Sequence, residues 1–196
     1  MPENDELRAP DPAGIAELLI QLGRLAYSVS AEPALTPTQW MTLRYFARAN
    51  RFSRTVSAFA EYHATTRGTV SQTIKTLTAR GYLRRIRSES DRRSVRLELT
   101  EEGNAVVRCD PLTRLIGLVE DLPQAGREGL QGQLRQLAAR LTQELGRPQF
   151  GVCRRCRFLE AAGSEHTGRS AAQCRFLALD LESGDLDRIC VNFSAA

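Results

Sequence analysis

The strongest constraint on the fold is a change of hydrophobic period at residue 82. Before it, Val70, Ile74 and Leu77 recur at helical spacing, opened by Thr66 as a cap and closed by Arg80-Gly81, a cation followed by a glycine. After it, Tyr82 to Arg87 and Val95 to Leu99 alternate as strands do, joined by the polar run Ser88 to Arg93. A helix feeding directly into one hairpin must bury both against other helices, and the chain supplies them. Ile15, Leu18, Leu19, Leu22, Leu25, Ala26 and Val29 predict a first helix. Thr36-Pro37 opens a second, through Trp40, Leu43 and Ala47. Thr55 to Tyr62 predicts a short third, with Val56, Phe59 and Ala60 inward and a turn at His63-Ala64-Thr65. Downstream, Thr100 and Gly103 begin a fifth helix expected to run to Val119 with a kink at Pro111. Leu130, Leu134, Leu137, Leu141 and Leu145 mark a sixth, whose narrow seam suits another helix.

Short helix, turn, capped helix and cationic hairpin, in that order, is the order of a winged helix-turn-helix. The expected fold class is therefore mainly α with a small β-hairpin wing, dimerising through terminal helices. Charge follows the same segment. The whole chain carries a formal net charge of +4, but residues 44 to 108 hold fourteen basic side chains against six acids, a net +8 in one third of the length. Such a patch suits a phosphate backbone, whose neutralisation releases condensed counterions. A solvated arginine-rich face is the bland alternative, and because arginine outnumbers lysine 26 to 1, position says more than abundance. With Val70, Ile74 and Leu77 inward, the outer face of the fourth helix offers Arg67, Thr69, Ser71, Gln72 and Lys75, with Gln72 and Arg67 as the expected base readers. Arg92 and Arg93 at the hairpin tip are suited to a narrow, electronegative minor groove.

The run Leu35-Thr36-Pro37-Thr38-Gln39-Trp40, then TTRGTVSQTIKTLTARGYLRR, then SESDRRSVRLELTEEG resembles the MarR family of bacterial transcription regulators, over roughly residues 15 to 147. The most specific part is the wing: Asp91-x-Arg93, a strand, then Leu99-Thr100-x-x-Gly103. The resemblance implies that Asp91 braces the wing and Arg93 enters the minor groove. It also implies a homodimer formed by the terminal helices on pseudo-palindromic double-stranded DNA. Many members respond to phenolic ligands or cysteine oxidation; no ligand pocket is identifiable from the sequence.

Family members of this kind usually stop near the sixth helix, whereas this chain continues for about fifty residues with four of its five cysteines. Their spacing is Cys153-x2-Cys156-x17-Cys174-x15-Cys190. A Cys-x2-Cys turn chelates one metal with little strain, two further thiolates complete the site, and neighbouring Arg154, Arg155, Arg157 and Arg175 ease the ionised state. A single Cys-x2-Cys pair is unusual for zinc, and an iron-sulfur cluster accepts it and supplies a signal to sense; iron-sulfur is slightly favoured, with zinc or four metal-free thiols as alternatives. Phe150, Phe158, Phe176, Leu177, Leu179, Leu181, Ile189 and Phe193 are expected to wrap a small core around the site, packed near the dimerisation helices. His166 reads as a loop residue, His63 as structural, and Cys109 as a small buried hydrophobe.

The chain thus divides into a flexible segment 1–14, a winged-helix and dimerisation domain 15–147, and a cysteine-rich tail 148–196. The longest apolar runs are far short of the ~20 residues that span a bilayer, and the acidic, proline-broken start is unlike a secretory leader, so no membrane association and a cytoplasmic location are expected. No nucleophile–His–acid set, phosphate-cradling glycine loop or HExxH helix is present, and an enzyme is not expected. A thiol oxidoreductase using Cys153 and Cys156 is the weaker rival, lacking a recognisable βαβ setting.

Overall fold

Four threonine caps fix where the first half of the chain turns helical. Thr36 Oγ1 accepts from Gln39 N at 3.3 Å while Gln39 Oε1 accepts from Thr36 N at 2.9 Å, a reciprocal box that opens the helix Pro37–Arg48 (α2). Thr55 caps Val56–Tyr62 (α3), Thr66 caps Arg67–Ala79 (α4), and Thr100 caps Glu101–Arg108 (α5). Ahead of them, Asp11 caps Pro12–Leu25 (α1). The computed structural model describes residues 11–28, 33–87, 95–161 and 170–196.

Leu83–Arg87 (β1) and Val95–Leu99 (β2) pair antiparallel, with Leu83 opposite Leu99 and Arg85 opposite Leu97. Leu83 and Leu97 are buried, joining Leu43, Phe46, Phe59, Ile74 and Leu77 in one core beneath α2, α3 and α4. Leu97 N donates to Arg54 O at 2.8 Å, so the segment before α3 lies along the wing's inner edge. Gly103 belongs to the same junction: a Cβ there would run into the Tyr82 carbonyl oxygen, so only glycine lets α5 start against the end of α4.

The single kinked fifth helix expected from sequence is two helices. α5 ends at Arg108 and Leu112–Glu120 (α6) starts afresh. Pro111 has no N–H to continue the ladder, and buried Asp110 accepts from Leu112 N at 2.8 Å while pairing with Arg44 Nε at 2.7 Å. Cys109, expected to be buried, is exposed at the C-cap of α5 because the helix stops there. The longest helix, Gln124–Glu144 (α7), follows. None of α1, α6 and α7 holds a buried residue. Among the described residues no helix is long and apolar enough to cross a membrane.

The tail builds two small antiparallel sheets. Gly151–Val152 (β3) pairs with Ile189–Cys190 (β7), and Leu159–Ala161 (β4), Ser170–Cys174 (β5) and Leu179–Glu182 (β6) form the other, in the order β4-β5-β6. Its core is only in part the expected one: Leu181 is buried there and Phe193 packs against it. Phe176 and Leu179 are exposed, while Ile189 is buried in the winged-helix core and Phe150 packs against it. What remains is a satellite of Cys153, Ala172, Leu181, Leu186 and Cys190, covered in part by Phe52. The tail was expected near the dimerisation helices. It does meet α7 across an open cleft of about 260 Å³ lined by Arg135, Thr142, Phe150 and Phe193, but its hydrogen-bonded attachment is to the connection between α2 and α3.

Candidate nucleic-acid interface and cysteine site

α4 is seated by Val70, Ile74 and Leu77, all buried, and presents Arg67, Thr69, Ser71, Gln72 and Lys75 to solvent. Two of these five spend hydrogen-bonding capacity within the helix: Thr69 Oγ1 lies 2.9 Å from Thr66 Oγ1, and Ser71 Oγ donates to Arg67 O at 2.7 Å. The side chains of Arg67, Gln72 and Lys75 make no hydrogen bond or ion pair among the described residues. They therefore keep their donors for an external acceptor, which on a convex helix face suits base edges and phosphates. Asp91, Arg92 and Arg93, the wing residues singled out in the sequence, lie outside the described residues, as does His166. His63 is half-buried with its ring stacked on Phe59 at 5.4 Å, and burial pushes its pKa down; it packs the turn.

The structure also corrects the charge arithmetic. Arg44 pairs with Asp110, Arg51 with Asp185 and Glu182 of the tail, and Arg54 and Arg84 share Glu98. Two of those carboxylate partners lie in the tail and one in the α5–α6 junction, outside the window that gave +8. The basic face is smaller than the count implies, and α4 is its cleanest part.

Residues 35–94 match the family model described as MarR family. Over this stretch the chain is similar to the MarR family, and the match covers less than a third of its length. Solved structures agree on the fold. Staphylococcus aureus MepR in a DNA complex is 19% identical, with a TM-score of 0.54 over 68% of this chain and 99% of that one. Streptococcus pneumoniae FabT in complex with DNA is 21% identical, with a TM-score of 0.54 over 69% and 99%. The PcaV transcriptional regulator from Streptomyces coelicolor, in complex with its natural ligand, is 22% identical, with a TM-score of 0.52 over 68% and 98%. At these identities the likeness shows the fold. These matches take in nearly all of each solved chain and leave about a third of this one outside. No curated protein matches the sequence.

The four tail cysteines lie in one module but are not equivalent. The β3–β7 register sets Gly151 opposite Cys190, and Cys153 opens the tight turn after β3, so both side chains enter the satellite core. The Cys153 thiol donates to the Cys190 sulfur, which holds Cys153 protonated and lowers Cys190 to about 6, with further help from Asn50, the Asn192 N–H and Ser53 against an opposing effect of burial. Cys156 follows across that turn, its N–H donating to Cys153 O at 2.9 Å, and is half-buried. Cys174 ends β5 opposite Leu159 and packs against the satellite. Four thiols in one small module suit a soft metal, yet among the described residues no three His, Cys, Asp or Glu side chains are gathered as a ligand set. Cys153 is buried and Cys156 half-buried, so the Cys-x2-Cys pair is not an exposed dithiol.

Cysteine spacing could not reveal two residues at this site, Asn50 and Ser53. Both are fully buried in the α2–α3 connection, about a hundred residues upstream of the first tail cysteine. Fully buried polar side chains would have been the signal, and burial is not visible in a sequence read without a fold.

Proposed function

We propose that the chain is a MarR-type transcription regulator that binds double-stranded DNA as a homodimer, with α4 in the major groove and the wing beside it. The outward, unpaired Arg67, Gln72 and Lys75 on a firmly seated α4 carry this reading. It is supported by MepR and FabT, chains of this fold whose structures are DNA complexes. The homodimer rests on α1, α6 and α7, whose apolar stripes lie exposed in the single chain. The operator is then pseudo-palindromic, because a two-fold protein presents two equivalent α4 helices. Arg92 and Arg93 serve the minor groove and Asp91 braces the wing.

Binding to the gene's own upstream DNA as a function of salt tests the proposal. A steep slope and preference over random duplex are expected. Gln72→Ala should lose about 1–3 kcal/mol of discrimination at one base position per half-site, and Lys75→Ala should weaken all sequences alike with a shallower salt slope. Equal affinity of both variants and wild type for every duplex would overturn it.

The tail adjusts operator affinity in this reading through a thiolate centre of Cys153, Cys156, Cys174 and Cys190, an iron-sulfur cluster before zinc. A second reading, zinc as a brace without sensing, is favoured by the tail's polar attachment to the α2–α3 connection. Visible absorbance of anaerobically purified protein, with iron and sulfide analysis, separates them: a broad band with both elements present supports the cluster, and a colourless protein with zinc supports the brace.

A further inference from the structure

Residues 188–191 are held by the last turn of α2 and by the α2–α3 connection. Arg188 Nη1 donates to Ala47 O at 2.9 Å, Asn50 N donates to Ile189 O at 2.9 Å, and Val191 N donates to Ser53 Oγ at 2.8 Å. Cys190 sits between the last two clamps. The connection is itself pinned to the rest of the winged helix. Tyr45 Oη donates to Ser53 O at 2.8 Å, Arg54 Nε donates to Ala49 O at 3.2 Å, and Leu97 N of the wing donates to Arg54 O at 2.8 Å. Cys190 is thus separated from a wing strand by one short, hydrogen-bonded stretch of chain.

Asn50 supplies the second observation. It is fully buried, and its Oδ1 accepts from Phe52 N at 3.2 Å and Ser53 N at 2.9 Å, which fixes the direction of the amide. Its Nδ2 has no hydrogen-bond partner. The amide lies beside both Cys153 and Cys190. A neutral thiol is a weak acceptor and a thiolate a good one, so this donor is satisfied when the sulfurs are ionised, as they are when they bind a metal. Donors of this kind orient and tune metal-bound sulfur.

We propose that Cys153 and Cys190 are the inner ligands of a metal–thiolate centre completed by Cys156 and Cys174, that Asn50 donates to its sulfurs, and that loading fixes residues 49–54 and through them the wing. This rests on the reading of the tail as a metal module and adds where the signal leaves it. Asn50 is a positioning residue rather than a ligand. The wing strand β2 reports the change because its Leu97 amide hangs from Arg54.

The full-length chain is titrated anaerobically with Co2+, and in parallel with iron and sulfide. Thiolate-to-metal absorption is expected in at least one arm, lost in Cys153→Ser and Cys190→Ser; no absorption in either arm overturns the centre. Asn50→Asp keeps an oxygen acceptor for the Phe52 and Ser53 amides and removes the donor to sulfur. It should weaken the metal by about 10–100-fold with little change in melting temperature; wild-type affinity overturns the role of Asn50. Amide hydrogen exchange on the wild type needs no variant: metal should slow Asn50, Ser53 and Leu97 at least tenfold, and unchanged rates overturn the link to the wing. None of these measurements contains DNA, so failure of operator binding leaves them standing and their failure leaves operator binding standing.

Discussion

The helices α4 and α7 carry the same sequence signal and meet opposite fates. Val70, Ile74 and Leu77 on α4 are 0–1% exposed, while Leu134, Leu137 and Leu141 on α7 are 39–57% exposed. Both stripes recur at helical spacing, so periodicity predicts a helix in each case and says nothing about what covers it. α4 is covered by its own chain, through α2, α3 and the hairpin. α7, like α1 and α6, shows its stripe to solvent in the single chain, and helices in proteins owe most of their stability to such packing. One region is therefore complete as a fold, and the other leaves its apolar stripes uncovered in the single chain, where the proposed homodimer would bury them.

Substitutions with the largest effect should fall on the complete region. Leu77→Ala empties a site that is fully buried and is expected to cost about 2–5 kcal/mol in a urea or thermal melt. The matched change Leu137→Ala on α7 should cost far less in protein dilute enough to be monomeric; equal losses would break the contrast. Asp110→Ala comes next. It leaves Arg44 without its carboxylate in a partly buried setting and Leu112 N without its cap, for a loss of about 2–3 kcal/mol after allowing for the exposure of Arg44. Asp110→Asn keeps an acceptor and should recover part of it, which a melt of both variants would show.

The paired change Leu137→Glu with Leu141→Glu tests the incomplete region. Sedimentation should show a dimer for the wild type and a monomer for the variant, while the winged-helix melt moves by less than about 1 kcal/mol. A variant that remains dimeric would place the interface elsewhere.

How much could be read from the sequence follows the same division. Thr36 and Thr66 announced their helices as caps because a cap is a local hydrogen bond between neighbours in the chain, while Thr55 and Thr100 marked where helices begin and are caps in the structure. The inward set of α4 and the outward Arg67, Gln72 and Lys75 were legible for the same reason. The break at Pro111 was underestimated, because the acid that completes it, Asp110, is held by Arg44 from sixty-six residues away. The cysteine site was legible as a set of sulfurs, while its setting was not: Asn50 and Ser53 belong to another element, and their role depends on a docking that no spacing encodes. Ile189 was assigned to the tail's own core and instead completes the winged helix, since an apolar residue does not reveal which of two adjacent cores it will enter.

The smallest effect concerns backbone rather than burial. Ala64, in the turn between α3 and α4, has φ 53°, a left-handed conformation that costs an L residue about 1–2 kcal/mol. Glycine there removes the strain but adds about 0.5–1 kcal/mol of unfolded-state entropy, so Ala64→Gly should stabilise by less than about 1 kcal/mol. A rise in melting temperature of a few degrees at most is expected. The turn is exposed and sets the angle between α3 and α4 without contributing to the α4 face, so operator affinity should hold at its wild-type value. A gain in stability with weakened DNA binding would show that the strained turn holds α4 at its reading angle, and the complete region would then owe its function to more than its packed core.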